Sequence, residues 1–163
     1  MEQRVGLTLY TDAYVARGTI LTRQRRVSDI VNGTEEGFIV LNDAVLEEFG
    51  HRSHSLTAAF AQINLSAVLF AVADAPVEAV PELRTPKVHQ AALISIPPFK
   101  VVGQIHLLPE RDLRSALGEL VGRFVPVTDA TFWSDSVGEP RTSATMVAVN
   151  HGRAQILAPY SEP

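Results

Sequence analysis

The chain contains no cysteine in its 163 residues. Disulfides, thiolate metal centres and cysteine nucleophiles are therefore excluded at the outset. Aromatic residues make up only 7%, with a single Trp, and there are two Met. The chain also lacks a basic excess: 14 Lys and Arg stand against 18 Asp and Glu, for a net charge of −4. Such a balance argues against non-specific coating of nucleic acid, while leaving room for a local basic patch. The longest apolar run, Ala67 to Ala73, is far too short to cross a bilayer. The opening MEQRVGLTLYTD lacks the charged-then-apolar layout of a secretory signal. A cytoplasmic protein that does not enter membranes is expected. What is present suffices for a folded domain, with 46% apolar and 20% charged residues and a mean hydropathy of +0.11.

Self-similarity is the strongest internal signal. Leu7–Tyr14 followed by Gly18-Thr-Ile20 has a counterpart 85 residues on, in Ala92–Phe99 followed by Gly103-Gln-Ile105. Phe38–Ala44 matches Phe124–Ala130 at an offset of 86, and Ser66–Val72 matches Ser143–Val149 at 77. The smaller last offset implies nine fewer residues in the second connecting loop. Two copies follow, at residues 1–81 and 88–163. Pro81 and Pro86 stiffen the link, residues 82–87, between them.

Each copy reads as about five short strands and one helix. Val5, Leu7 and Leu9 alternate with Gly6, Thr8 and Tyr10, the period of a half-buried strand. A turn at Asp12-Ala13, or at Pro97-Pro98, leads to a second strand over Tyr14–Leu21 or Phe99–Leu107. Gly18 and Gly103 inside these strands predict a bulge or a close approach. Val27, Ile30 and Val31 keep helical spacing and stop at Asn32-Gly33; Leu113, Ala116, Leu117 and Leu120 repeat it before Gly122. The Phe38 and Phe124 blocks give third strands, and the Ser66 and Ser143 blocks give fourth strands. Val77–Val80 and Ala154–Leu157 give short fifth strands, with Asn150-His151-Gly152 as a hairpin turn ahead of the latter. The expected fold is mainly β, in two tandem small five-stranded barrels of the Sm-like or SH3-like kind. Each has its helix between strands two and three. Curling would protect the edges of so few strands.

The Phe38-Ile-Val-Leu-Asn-Asp-Ala44 block, after two strands with a mid-strand Gly, resembles the first motif of the Sm-like proteins. Ser143–Arg153 followed by Ala154-Gln-Ile-Leu157 resembles their second motif. A similarity to bacterial proteins of unknown function accompanies it. The Sm-like resemblance implies barrels that join edge to edge into rings and bind RNA at the inner rim. Carried over by position, Asn42, Asp43, Thr128 and Asp129 would lie near the base-reading loop, and Asn150, His151 and Arg153 in a second RNA-facing turn.

Several clusters invite chemistry. Arg23, Arg25 and Arg26 open the first helix, with Arg17 near, and Arg111 and Arg114 in the second copy. Paired guanidiniums fit phosphate oxygens, against the plain alternative of a solvated face balanced by Glu35, Glu36, Glu47 and Glu48. Asp43 and Asp129 suggest paired carboxylates for acid–base work, against strand-ending Asp residues that bond the turn. His51 and His54 have metal-compatible spacing but no third ligand, so a surface loop is expected. His89 and His106 show no evident partner. Trp133 can stack on a base or pack between subunits. No phosphate-binding Gly loop, dinucleotide fingerprint or nucleophile elbow occurs. Nothing marks an enzyme, a metal site or a cofactor. The leading expectation is a non-catalytic scaffold that binds copies of itself, in a ring or another oligomer, together with a protein partner of unknown identity. An RNA-binding protein is the alternative, and a small hydrolase or isomerase built on Asp43, Asp129 and a histidine comes third.

Overall fold

The computed structural model describes residues 2–24, 26–34, 36–74, 88–107 and 123–161. The second helix expected near Leu113–Gly122, the strand expected at Val77–Val80, and the link at 82–87 lie outside these residues. So do Arg25, Glu35, Arg111 and Arg114.

Ten strands are described: β1 (Gln3–Tyr10), β2 (Tyr14–Thr22), β3 (Phe38–Glu48), β4 (Ser55–Asn64), β5 (Phe70–Ala73), β6 (Val88–Ile96), β7 (Phe99–Leu107), β8 (Phe124–Ser134), β9 (Glu139–Asn150) and β10 (Ile156–Pro159). One helix is described, α1 (Val27–Asn32). The strands form one antiparallel sheet in the order β10-β6-β7-β8-β9-β5-β1-β2-β3-β4. Two tandem barrels were expected; the sheet is instead continuous and open. The physical reason is at the seam. β5 bonds β1 on one side and β9 on the other, with Phe70 opposite Val149 and Val72 opposite Val147. Closure of the first half would need β5 to pair with β4, but β9 occupies that side of β5.

The strand placements need three further corrections. First, Ser66–Val72 is not a fourth strand. Leu65–Ala67 is a 3-10 turn and Phe70–Ala73 is β5, whereas the fourth strand is β4. Accordingly β3 extends to Glu48 and β4 starts at Ser55, so the loop expected at His51 and His54 shrinks to a tight connection. Second, the nine-residue difference disappears. Phe38 faces Asn64 as Phe124 faces Asn150, so one offset of 86 relates both third–fourth strand pairs. Third, Asn150-His151-Gly152 is not a hairpin. β9 and β10 do not pair, and a 3-10 turn at His151–Arg153 carries the chain between them.

That short turn also reports curvature. β9 and β10 lie at opposite ends of a five-strand run, roughly 19 Å apart if the sheet were flat. The link from Asn150 to Ile156, 3-10 at His151–Arg153 and extended after it, covers about 16 Å. The run must curl. Bulges supply the bend at matching places. The register slips between Arg17 and Thr19 opposite β3, and between Val102 and Gln104 opposite β8. At each slip two residues, Asp43-Ala44 or Asp129-Ala130, oppose one glycine. Asp43 (φ 51°) and Asp129 (φ 48°) take the left-handed conformation that starts such a bulge.

Both faces of the seam are buried. On β5, Phe70 enters one core with Tyr10, Val15, Phe99, Phe132, Val147 and Val149. Ala71 enters the other, with Leu7, Leu9, Ile30, Leu41, Phe124 and Ala148. Each core thus draws side chains from both halves of the chain. The helix follows the same logic: Val27, Ile30 and Val31 are buried as their spacing predicts. Asn32 binds the Phe124 backbone twice, donating Nδ2–H to its carbonyl and accepting its N–H, each at 2.8 Å. The first half's helix therefore docks on the second half's strands.

Candidate interaction surface

The cationic cluster at the start of α1 is only partly available. Arg23 and Arg26 are exposed. Arg26 is committed to Asp29 through two contacts, Nε–Oδ2 at 3.0 Å and a second at 3.3 Å. Arg17 instead reaches Glu47, which also takes a 2.6 Å bond from Arg52 Nε, and Arg52 continues to Glu139. This chain of four charges ties the β3–β4 connection to the start of β9. The Arg52 hydrogen bond, despite partial burial, holds the Glu47 carboxyl below the usual Glu value, with Arg17 adding to the effect. A lowered folded-state pKa contributes stability above the unfolded value near 4.5. That contribution is lost as pH falls through the folded value. The melting-temperature gap between the wild type and Glu47→Gln is therefore expected to shrink from pH 7 to pH 3. A gap independent of pH would refute the pairing.

Asp43 and Asp129 are not brought together. Asp129 lines a shallow depression of about 380 Å³ with Ala130, Thr131, Ser143, Ala144 and Thr145. Asp43 lines one of about 360 Å³ with Ala44, Val45, Thr57, Ala58 and Ala59. Four strands separate β3 from β8, so the two carboxylates share no cleft and lack the geometry for joint acid–base work. Their positive φ gives each a backbone task. Asp129→Gly is expected to leave the stability unchanged or raise it, and Asp129→Val to lower it by about 1–2 kcal/mol, because a branched Cβ fits that conformation poorly. Urea midpoints of the two variants check this.

The other rim candidates scatter. Asn42 is exposed and Thr128 half-buried; the Thr128 hydroxyl lies 2.6 Å from His106 Nε2, and the His106 ring also meets His89 at 4.4 Å between centroids, tilted by 60°. Asn150 is buried, its Nδ2 donating to the carbonyls of Val68 at 3.0 Å and Leu65 at 3.4 Å. Arg153 donates to the Ser66 carbonyl, and the His151 backbone N–H bonds Arg123. The Asn150–Arg153 segment is thus a staple between the two halves. His51 and His54 sit exposed in the β3–β4 connection, and no group of three metal-capable side chains occurs among the described residues. No described helix is long and apolar enough to cross a membrane.

Two surfaces stand out. On β7, β8 and β9, Lys100 lies opposite Trp133, and Arg141 places its guanidinium 3.9 Å from the Trp133 ring centre. The other surface is formed by the ends of the sheet, one of which, β4, was not expected as a strand. Among the described residues β4 is an unpaired edge carrying exposed Leu56 (67%) and Phe60 (65%), and β10 is the opposite edge, with Ile156 57% exposed. The signal was available, since Leu56, Ala58 and Phe60 alternate as strand residues do. No protein-family model matches the chain, and no match is found among curated proteins or solved structures.

Proposed function

We propose that this chain is a duplicated small-sheet unit that works as a non-catalytic, self-associating scaffold. The observation that carries this reading is the pair of sheet edges, β4 and β10, that are open among the described residues. A sheet that ends in unpaired N–H and C=O groups is a template for another strand, and natural sheets blunt such edges with charge, proline or cover. Here the β4 edge has no lysine or proline, and it exposes Leu56 and Phe60. The matching strand orders, bulges and bulge aspartates at an offset of 85 or 86 support the duplication. Light scattering behind size exclusion at micromolar concentration tests the reading. The expected mass is a defined multiple of 17.7 kDa, and a monodisperse monomer overturns it.

One observation favours a second reading, single-stranded RNA binding. The Lys100–Trp133–Arg141 row sets an aromatic ring between two cations, the pairing that stacks bases and holds phosphates. Arg23, Asn42, Asp43, Thr128 and Asp129 would be peripheral to it. RNA that co-purifies at low salt, leaves at high salt and binds severalfold more weakly to Trp133→Ala would support this reading. Affinity unchanged by that substitution removes it.

A further inference from the structure

The internal seam is a worked example of how one half of this chain holds another, and both of its sides recur at the sheet ends, unpaired among the described residues. Within the chain, β5 adds to β9 with Phe70 opposite Val149, Ala71 opposite Ala148 and Val72 opposite Val147. Each of these residues has a counterpart 86 positions away on the free edges. β10 sits on β6 as β5 sits on β1: Ile156 faces Ser95 as Phe70 faces Tyr10. β4 sits on β3 as β9 sits on β8. The side chains that close the seam also recur in exposed form. Phe99 is 1% exposed beneath Tyr10 and Phe70, while its counterpart Tyr14 is 43% exposed. Phe70 is wholly buried, and its counterpart Ile156 is not.

We propose that chains join head to tail, β10 of one adding antiparallel to β4 of the next, with Ile156 opposite Ile63, Leu157 opposite Gln62 and Ala158 opposite Ala61. The inference rests on the self-association proposed above and assigns its joint. Ile156 then packs on Tyr14 and Leu46 of the neighbour, where Phe70 packs on Phe99 and Phe132 inside the chain. The joint is heterologous, so every added chain presents a new free edge until the series closes or extends as a fibre. It is also the weaker of the two seams. Ile156 replaces Phe70, Ser95 replaces Tyr10, Lys100 replaces Val15 and Asp135 replaces Phe49. The aromatic cluster that locks the internal seam is therefore reduced to Tyr14 alone, and the joint between chains is reversible while the internal seam is permanent.

The absence of cysteine makes the register directly testable. One chain carrying Ile156→Cys is mixed with another carrying Ile63→Cys and treated with diamide. The expected product on a non-reducing gel is a covalent pair of one of each, formed at least tenfold faster than either chain forms with itself. A partner carrying Ala59→Cys, two positions further along the same face of β4, should not cross-link. Rapid self-linking of the Ile63→Cys chain would mean that two β4 edges meet symmetrically, and would overturn the proposed joint. So would the absence of any cross-link in a protein that light scattering shows to be multimeric; self-association would then stand without this joint. A monomer by light scattering defeats both. For the strength of the joint, Ile156→Phe combined with Ser95→Tyr restores the internal aromatics. The assembly is expected to persist at tenfold or greater dilution, and an unchanged dissociation range refutes the assigned weakness.

Discussion

Phe70→Ala is expected to lower the stability by about 3–5 kcal/mol, the range for deleting a fully buried aromatic. Phe70 is wholly buried, stacks on Tyr10 at 4.6 Å between ring centres, and meets Phe132 at 4.9 Å and Phe99 edge-on at 5.1 Å. Tyr10 belongs to the first half, whereas Phe99 and Phe132 belong to the second, so one deletion opens contacts across the seam. Burial also pushes the Tyr10 hydroxyl above its ordinary pKa, consistent with a ring held inside this cluster. The expected loss is comparable with the whole margin of a typical domain, about 5–15 kcal/mol. Urea unfolding followed by Trp133 fluorescence measures it. A loss under about 1 kcal/mol would show that the cluster contributes little and that the halves are held by hydrogen bonding alone.

The second large effect is expected at the bulge glycines. A Cβ on Gly103 would lie 2.5 Å from Val127 Cγ1, 2.9 Å from the Thr128 carbonyl oxygen and 3.1 Å from Ala130 Cα. On Gly18 it would lie 2.7 Å from Leu41 Cβ and 2.9 Å from the Asn42 oxygen. Backbone atoms cannot rotate away, so Gly103→Ala and Gly18→Ala should each cost about 1–3 kcal/mol through forced separation of neighbouring strands. The sites are strands apart and share no contact, so the double substitution should cost the sum of the two. A neutral Gly103→Ala would mean that the strands slide freely at the bulge and that the glycine is there for another reason.

Local signals in the sequence predicted local features well. Val5, Leu7 and Leu9 marked β1, Val27, Ile30 and Val31 marked the buried face of α1, and Gly18 and Gly103 marked the bulges. These patterns depend on side chains a few residues apart, where periodicity is informative. The failures came where partners are distant. Phe70–Ala73 is apolar on both faces because a core lies on each side, so it shows no alternation and merged with the turn before it. β4 alternates, but it is an edge strand on which only Ala61 and Ile63 pack against a core while Leu56 and Phe60 stay exposed, so it read as part of a loop. The closed barrels were a reasonable expectation from strand count. What decided otherwise was the choice of β9 rather than β4 as the neighbour of β5, a contact between segments about eighty residues apart.

The candidate sites divided similarly. Residue type pointed to Asn150 and Arg153, but not to their use on the carbonyls of Leu65, Val68 and Ser66. Arg26 looked like an anion ligand until its Asp29 partner was placed. Trp133 was singled out for being alone in the chain; its neighbours Lys100 and Arg141 become meaningful only once three strands lie side by side.

The interlocked cores constrain how the molecule comes into being. As the chain is synthesised, the first 73 residues complete β1 to β5 but leave their core without Phe124 and Ala148. Tyr10, Val15 and Phe70, meanwhile, have no second-half residues to bury them. A nascent first half is thus an unfinished surface that must wait for later sequence, and during that interval a neighbouring nascent chain offers the same strands as its own second half. Neither half carries a complete interior, so the folding of each depends on the presence of the other.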